Sequence, residues 1–361
     1  TGAYSLNSST SGYQNTASGY YSLKSNTTAD FNTATGAYAL WFNTTGHSNT
    51  AVGNASLKVN TTGYKNTANG RKALNSNTTG YQNTASGYNS LKTNITGHSN
   101  TASGYKALYA STGSQHTATG AYALTSNTTG YNNTATGSFS LRYNTTGYQN
   151  VATGTFALAQ NTQGYRNTAS GYYTLGKNTT GNKNTASGYK ALWSNTTGTH
   201  NTANGMYALW NTTSGYKNTA SGYQALYNNT GNLNTATGNN ALFANTSGTH
   251  NTATGNYALR SNNTGNYNTA SGNYSMQNTT TGIRNTASGA EALRANTTGT
   301  KNIGLGYGAG DAITTGSNNT IIGDYAGTTA LADTVVIAAG TTERLKIDAS
   351  GIQVNGAALA S

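Results

Sequence analysis

The sequence predicts an all-β fold, a repetitive β-solenoid or β-roll with one 17-residue coil per repeat, and three observations predict it. The first is period. The glycines of an Asn-Thr-Ala-x-Gly phrase fall at Gly19, Gly36, Gly53, Gly70, Gly87 and Gly104, step once by sixteen to Gly120, and continue by seventeens to Gly222. A second step of sixteen leads to Gly238, and the series then runs to Gly323. A short period held this long marks units that bury their apolar face only by stacking on the next copy. The second observation excludes helix: glycine recurs every seven to ten residues, among threonines and asparagines that form helices poorly. The third is a fixed apolar position, leucine at Leu6, Leu23, Leu40, Leu57, Leu74, Leu91, Leu108, Leu124 and onward to Leu293, with Met276 as the one exchange.

One coil reads Asn-Thr-Ala-(Ser/Thr)-Gly-Tyr-x-(Ala/Ser)-Leu-x-x-Asn-Thr-Thr-Gly-Tyr-x. Its two glycines mark two corners, where a positive φ or a close backbone approach is needed. Two segments remain between them, each long enough for a short strand. The leucine, the small residue before it (Ala39, Ser56, Ala107, Ala191) and the alanine of Asn-Thr-Ala (Ala17, Ala85, Ala169, Ala270) are the inward set. Stacking turns them into a leucine ladder facing an alanine ladder. Both 16-residue coils are short in the same place, Leu108 to Gly113 and Leu226 to Gly231. A deletion tolerated there predicts a surface turn, because a one-residue slip within a strand would reverse its faces. The core is thin, and chains wound or packed together as a parallel homotrimer would bury more of each coil.

Composition narrows the function. Charged residues are 7% of the 361, cysteine and proline are absent, and the net charge is +12. The basic residues are spread one per coil or fewer (Lys65, Lys72, Lys106, Lys183, Lys190, Lys217), which speaks against a nucleic-acid partner, since such binders concentrate charge on one face. No apolar run reaches the ~20 residues that cross a bilayer, so no membrane insertion is expected. The chain opens at Thr1 in mid-repeat without an initiator methionine, which points to a fragment or processed product. Of the seven carboxylates, Asp30 and Glu291 stand alone, and Asp311, Asp324, Asp333, Glu343 and Asp348 lie in the last 51 residues. His47, His98, His116, His200 and His250 have no metal-site spacing and read as solvated. No enzyme activity, catalytic residue, metal or cofactor is expected.

Two surface features are candidates for function. Asn-Thr-Thr sequons at Asn26, Asn43, Asn60, Asn77, Asn127, Asn144, Asn178 and Asn195 would be glycosylation acceptors in a secreted eukaryotic protein. An asparagine ladder bonding along the stack explains the same periodicity without sugars. Tyrosine, with 27 copies, forms a row after the second glycine that includes Tyr64, Tyr81, Tyr131, Tyr148, Tyr165 and Tyr216. These rings are candidate contacts for surface glycans, against the plainer reading that they stack on one another and stiffen the array.

From about residue 302 the style changes, giving three segments: repeats over 1–301, more apolar variants over 302–340, and a hairpin-like end over 341–361. Leu345 and Ile347 alternate before Ser350-Gly351, and Ile352 and Val354 follow. The phrases Asn318-Asn319-Thr320-Ile321-Ile322-Gly323, Asp333-Thr334-Val335-Val336-Ile337 and Thr342-Glu343-Arg344-Leu345-Lys346-Ile347-Asp348 resemble the distal region of bacteriophage tail fibres. In that family the region precedes an endosialidase-type intramolecular chaperone, which trimerises the fibre and cuts itself off. The repeats also resemble, more loosely, the heads of trimeric autotransporter adhesins. The resemblance implies a virion tail fibre, extracellular and homotrimeric, whose partners are other phage tail proteins and a host surface glycan or receptor. Rival readings are a bacterial trimeric surface adhesin, a self-assembling glycan-coated extracellular filament, and an ice-binding solenoid, which irregular outward threonines would dismiss.

Overall fold

The computed structural model describes residues 1–354 and 357–358. They belong to two compact units, Thr1–Lys183 and Asn184–Ser361. Both are β-solenoids of 17-residue coils, and no helix occurs among the described residues. The first unit holds ten three-residue strands, from Thr16–Ser18 to Thr168–Ser170, and the second holds nine more, from Thr185–Ser187 to Thr320–Ile322. Within each unit successive strands are parallel and in register, alanine beside alanine, as in Ala17, Ala34 and Ala51. The alanine points inward and its two neighbours outward, the alternation a half-buried strand requires.

The leucine ladder faces inward as expected. Leu23 and each ladder residue after it to Leu293, Met276 included, have no exposed surface, and the alanine, serine or (at Thr174) threonine before each is buried as well. Both glycine corners lie in close approach to the next coil, Gly19 against Gly36, and the first also needs a positive φ. Gly19 and its equivalents adopt φ near 130°, and at Gly63 an added Cβ would collide with Asn60 Oδ1 and the carbonyl oxygen of Gly80 in the next coil. The short coils lose one residue of the exposed Thr-Thr corner, and the strands on either side keep register.

One expectation is corrected. Each coil has one strand, not two. The leucine segment bonds to its neighbours through alternating amides instead: Tyr38 N donates back to Tyr20 O (2.8 Å) and Leu40 N forward to Ser56 O (3.0 Å). Both donors sit in left-handed backbone, φ 62° and 49°. This places leucine, a residue disfavoured there by roughly 1–2 kcal/mol, in that conformation once per coil. The side chain can then point inward while its amide reaches the neighbouring coil.

Polar ladders complete the interior. Asn43 Nδ2 donates to Asn26 Oδ1 (3.0 Å), Asn60 to Asn43 (2.7 Å), Asn77 to Asn60 (2.8 Å) and Asn94 to Asn77 (2.9 Å). Each also bonds the glycine carbonyl three residues on. A second row uses the Asn-Thr-Ala asparagine: Asn49 N donates to Asn32 Oδ1 (2.9 Å), and Asn49 Nδ2 to Gly63 O (2.9 Å). Buried amides are tolerated here because their donors and acceptors meet along the stack.

At the end of the second unit, Val335–Ala339 lies parallel to Thr320–Ile322, and Thr342–Asp348 and Gly351–Val354 follow antiparallel. The expected hairpin is present, with Ile347 opposite Ile352 and Leu345 opposite Val354. The remainder of 341–361, at 355–356 and 359–361, lies outside the described residues. Register aligns Leu305, Ile322, Ile337, Leu345 and Val354 in one outward row, and Ile303, Thr320, Val335, Ile347 and Ile352 in the row beside it. On the opposite face Val336 is followed by Lys346 and Gln353, and Lys346 Nζ pairs with Asp348 at 2.9 Å. The apolar face of the hairpin is therefore the one that continues the outside of the coils.

Candidate functional surface

The candidate tyrosines form ladders. His47, Tyr64, Tyr81 and His98 stack with centroids 5.1, 5.0 and 4.7 Å apart and planes within 16°. Tyr131, Tyr148 and Tyr165 stack at 4.9 Å, tilted by 7° and 3°. Tyr216 is exposed, with its amide donating to Asn232 Oδ1 (2.9 Å). Inside a ladder each ring face is covered by the next ring, so only the edges meet solvent. A sugar packs on an aromatic face, which leaves such contacts to ladder ends.

A further aromatic column arises directly after the leucines: Trp193, Trp210, Tyr227 and Phe243 stack at 5.6, 5.0 and 5.0 Å. Sequence reasoning passed over it, although a Leu-aromatic pair in four consecutive coils was the signal. Within the strands the outward threonines run in regular columns, Thr67, Thr84, Thr101, Thr117 and Thr134 in successive register. Val52, Asn69 and Val151 interrupt the columns on this face.

All eight sequon asparagines have no exposed surface. The side-chain amide that would carry a glycan donates inward, to Ala29 O from Asn26 (3.0 Å), Gly130 O from Asn127 (3.2 Å) and Gly198 O from Asn195 (3.1 Å). Asn43, Asn60, Asn77, Asn144 and Asn178 donate both to the ladder and to the glycine three residues on. The folded coil leaves no space for a sugar on these nitrogens.

His116 departs from the solvated reading. It replaces the second-row asparagine in the short coil, where Ser111 stands in the first row, and it is buried. Asn133 N donates to Nδ1 (3.2 Å) and Nε2 lies 2.8 Å from Gly130 O, which sets the neutral tautomer with the proton on Nε2. Burial pushes the imidazole down from 6.5 to about 4, against the opposing hydrogen bonds. The unfolded chain therefore takes up this proton first as pH falls. Stability from His116 is fully present above pH ~6.5 and is lost as pH drops toward ~4, a difference of about 3 kcal/mol. Asp30 is the only carboxylate among residues 1–183. Melting of the first unit is expected to fall between pH 7 and pH 4.5, and His116→Asn should remove most of that fall. An unchanged pH dependence in the variant would refute the assignment.

Most carboxylates stand apart, but Glu291, Asp311 and Asp324 lie close enough to act on one another. Asp30 accepts from Tyr13 N (2.9 Å), Glu291 pairs with Arg294 (3.1 Å), and Asp333 accepts from Asn318 (2.8 Å). Burial, reinforced by Glu291 and Asp324, raises the Asp311 carboxyl. Among the described residues no three His, Cys, Asp or Glu side chains group as metal ligands. The coil register stacks cations in one column: Arg166 and Lys183 in the first unit, and in the second Arg284 and Lys301, which occupy the same corner of adjacent coils, one coil beyond Tyr267. No protein-family model matches the chain, and no curated protein shows significant similarity to it.

Proposed function

We propose that the chain is a structural fibre protein of a phage tail, a rigid spacer and receptor-binding fibre for host attachment that assembles as a parallel homotrimer. The observation that carries the reading is the outer face of the C-terminal strands, where two largely aliphatic rows lie exposed or half-buried at positions that threonine, serine and asparagine occupy in most earlier coils. Contiguous apolar patches of this kind mark association surfaces. The inner face of the hairpin carries Lys346 and Gln353, half-buried and polar, so its apolar side chains are left on the outer face. Other copies of the chain are the partner this reading supplies. The resemblance of the same C-terminal phrases favours a phage fibre over a bacterial trimeric adhesin. The buried sequon amides weigh against a glycan-coated filament. An ice-binding face retains support from the regular threonine columns, but Val52, Asn69 and Val151 break them, and Ile303, Leu305 and Ile322 replace them toward the end.

Sedimentation equilibrium tests the assembly. The expected mass is three times the 37.1 kDa of one chain. Ile337→Asp with Ile352→Asp, both at exposed positions, should reduce it to one chain while the coils stay folded. A wild-type mass of one chain would sink the trimer.

A further inference from the structure

We propose that the corner formed by Tyr267, Ile283, Arg284 and Lys301 binds an acidic carbohydrate chain, an adhesive role beyond spacing. Arg284 N donates to Asn266 O (3.0 Å) and Lys301 N to Ile283 O (2.9 Å), so these residues lie on three consecutive coils. Consecutive coils are ~4.8 Å apart, a step comparable with one residue of an extended polysaccharide. With Asn266 and Thr300 they line a shallow groove of about 430 Å³.

The charges in it are uncompensated by carboxylates. The ion pairs among the described residues are Arg294–Glu291 and Lys346–Asp348, neither in this corner. Asp333, further along the column, is engaged by Asn318 Nδ2. Two cations at the same position of neighbouring coils repel each other, and an anion seated between them reverses that repulsion. The apolar parts narrow the ligand class. Tyr267 is 53% exposed, stacks on His250 at 4.7 Å on one side, and has Arg284 Cζ 6.0 Å from its centroid. Ile283 is 38% exposed beside it. A uronate-bearing sugar presents both the carboxylate for the cations and the C–H face for this apolar floor. Nucleic acid fits less well, because two cations neutralise few phosphates.

Calorimetry with oligogalacturonate and with a neutral cello-oligosaccharide of equal length tests the proposal. Oligogalacturonate is expected to bind and the neutral chain not to. Arg284→Asn with Lys301→Asn should weaken binding by about tenfold or more, as for loss of charge-assisted hydrogen bonds. Asparagine already occupies this corner, with left-handed backbone, at Asn132 and Asn318, so the coils should remain folded. Lys65→Asn, in the same column of the first unit, should leave binding unchanged. Equal binding of the neutral chain, full binding by the double variant, or tighter binding of a thymidine oligonucleotide through the same two residues would each overturn it. These outcomes are independent of the trimer mass, which tests the fibre reading separately.

Discussion

Leu158→Asp is expected to melt the coils around it and open them to protease. Leu158 has no exposed surface, donates its amide to Thr174 O (3.0 Å) and accepts from Asn161 N (3.1 Å). A carboxylate in that slot has no cation or donor within the apolar ladder, and such burial costs on the order of 4 kcal/mol. Each coil rests only on its neighbours, so the damage should spread through adjacent coils and stop short of the distant ones. Leu158→Met is the control. Met276 fills the equivalent slot without exposure, and the exchange should cost less than ~1.5 kcal/mol. Wild-type melting and protease resistance in the aspartate variant would mean that the leucines do not face inward.

Most of the coil was legible because stacking makes every structural need recur at a fixed interval. The leucine and alanine ladders, the two glycine corners and the site of the one-residue deletions all follow from invariance at that interval. The asparagine row was legible too, as a ladder competing with a glycan coat; burial of Asn60 and Asn77 now speaks for the ladder. What the sequence hid was backbone conformation. Nothing in Ala-Leu announces a left-handed leucine, since that conformation ordinarily belongs to glycine or asparagine and is here offset by burial and by bonds between coils. The missing second strand has the same origin. His116 was misread although it stands at the Asn-Thr-Ala asparagine position, which is buried in every coil around it. The candidate surface was the least legible. Tyr267 stands one residue later than the tyrosine row and escaped it, although Tyr267, Arg284 and Lys301 follow one another at the 17-residue interval that the coil register bears out.

Gly63→Ala should be as damaging as a core substitution, although it adds a single methyl at a corner. The new Cβ would meet backbone, the Gly80 carbonyl of the next coil, as well as the Asn60 amide of the ladder. Backbone cannot swing aside as a side chain can, so the coils must separate, at a cost of about 3 kcal/mol or more. The same contact embodies the central claim, that each 17-residue repeat is one coil lying directly on the next. Amide hydrogen exchange on the wild-type chain and on Gly63→Ala tests that claim most directly. The account expects slow exchange at Leu57, Leu74 and Leu91, whose amides donate to the following coil at 3.0 Å, recurring every seventeen residues and lost near residue 63 in the variant. Protection with no 17-residue recurrence, or a variant indistinguishable from wild type, would contradict it.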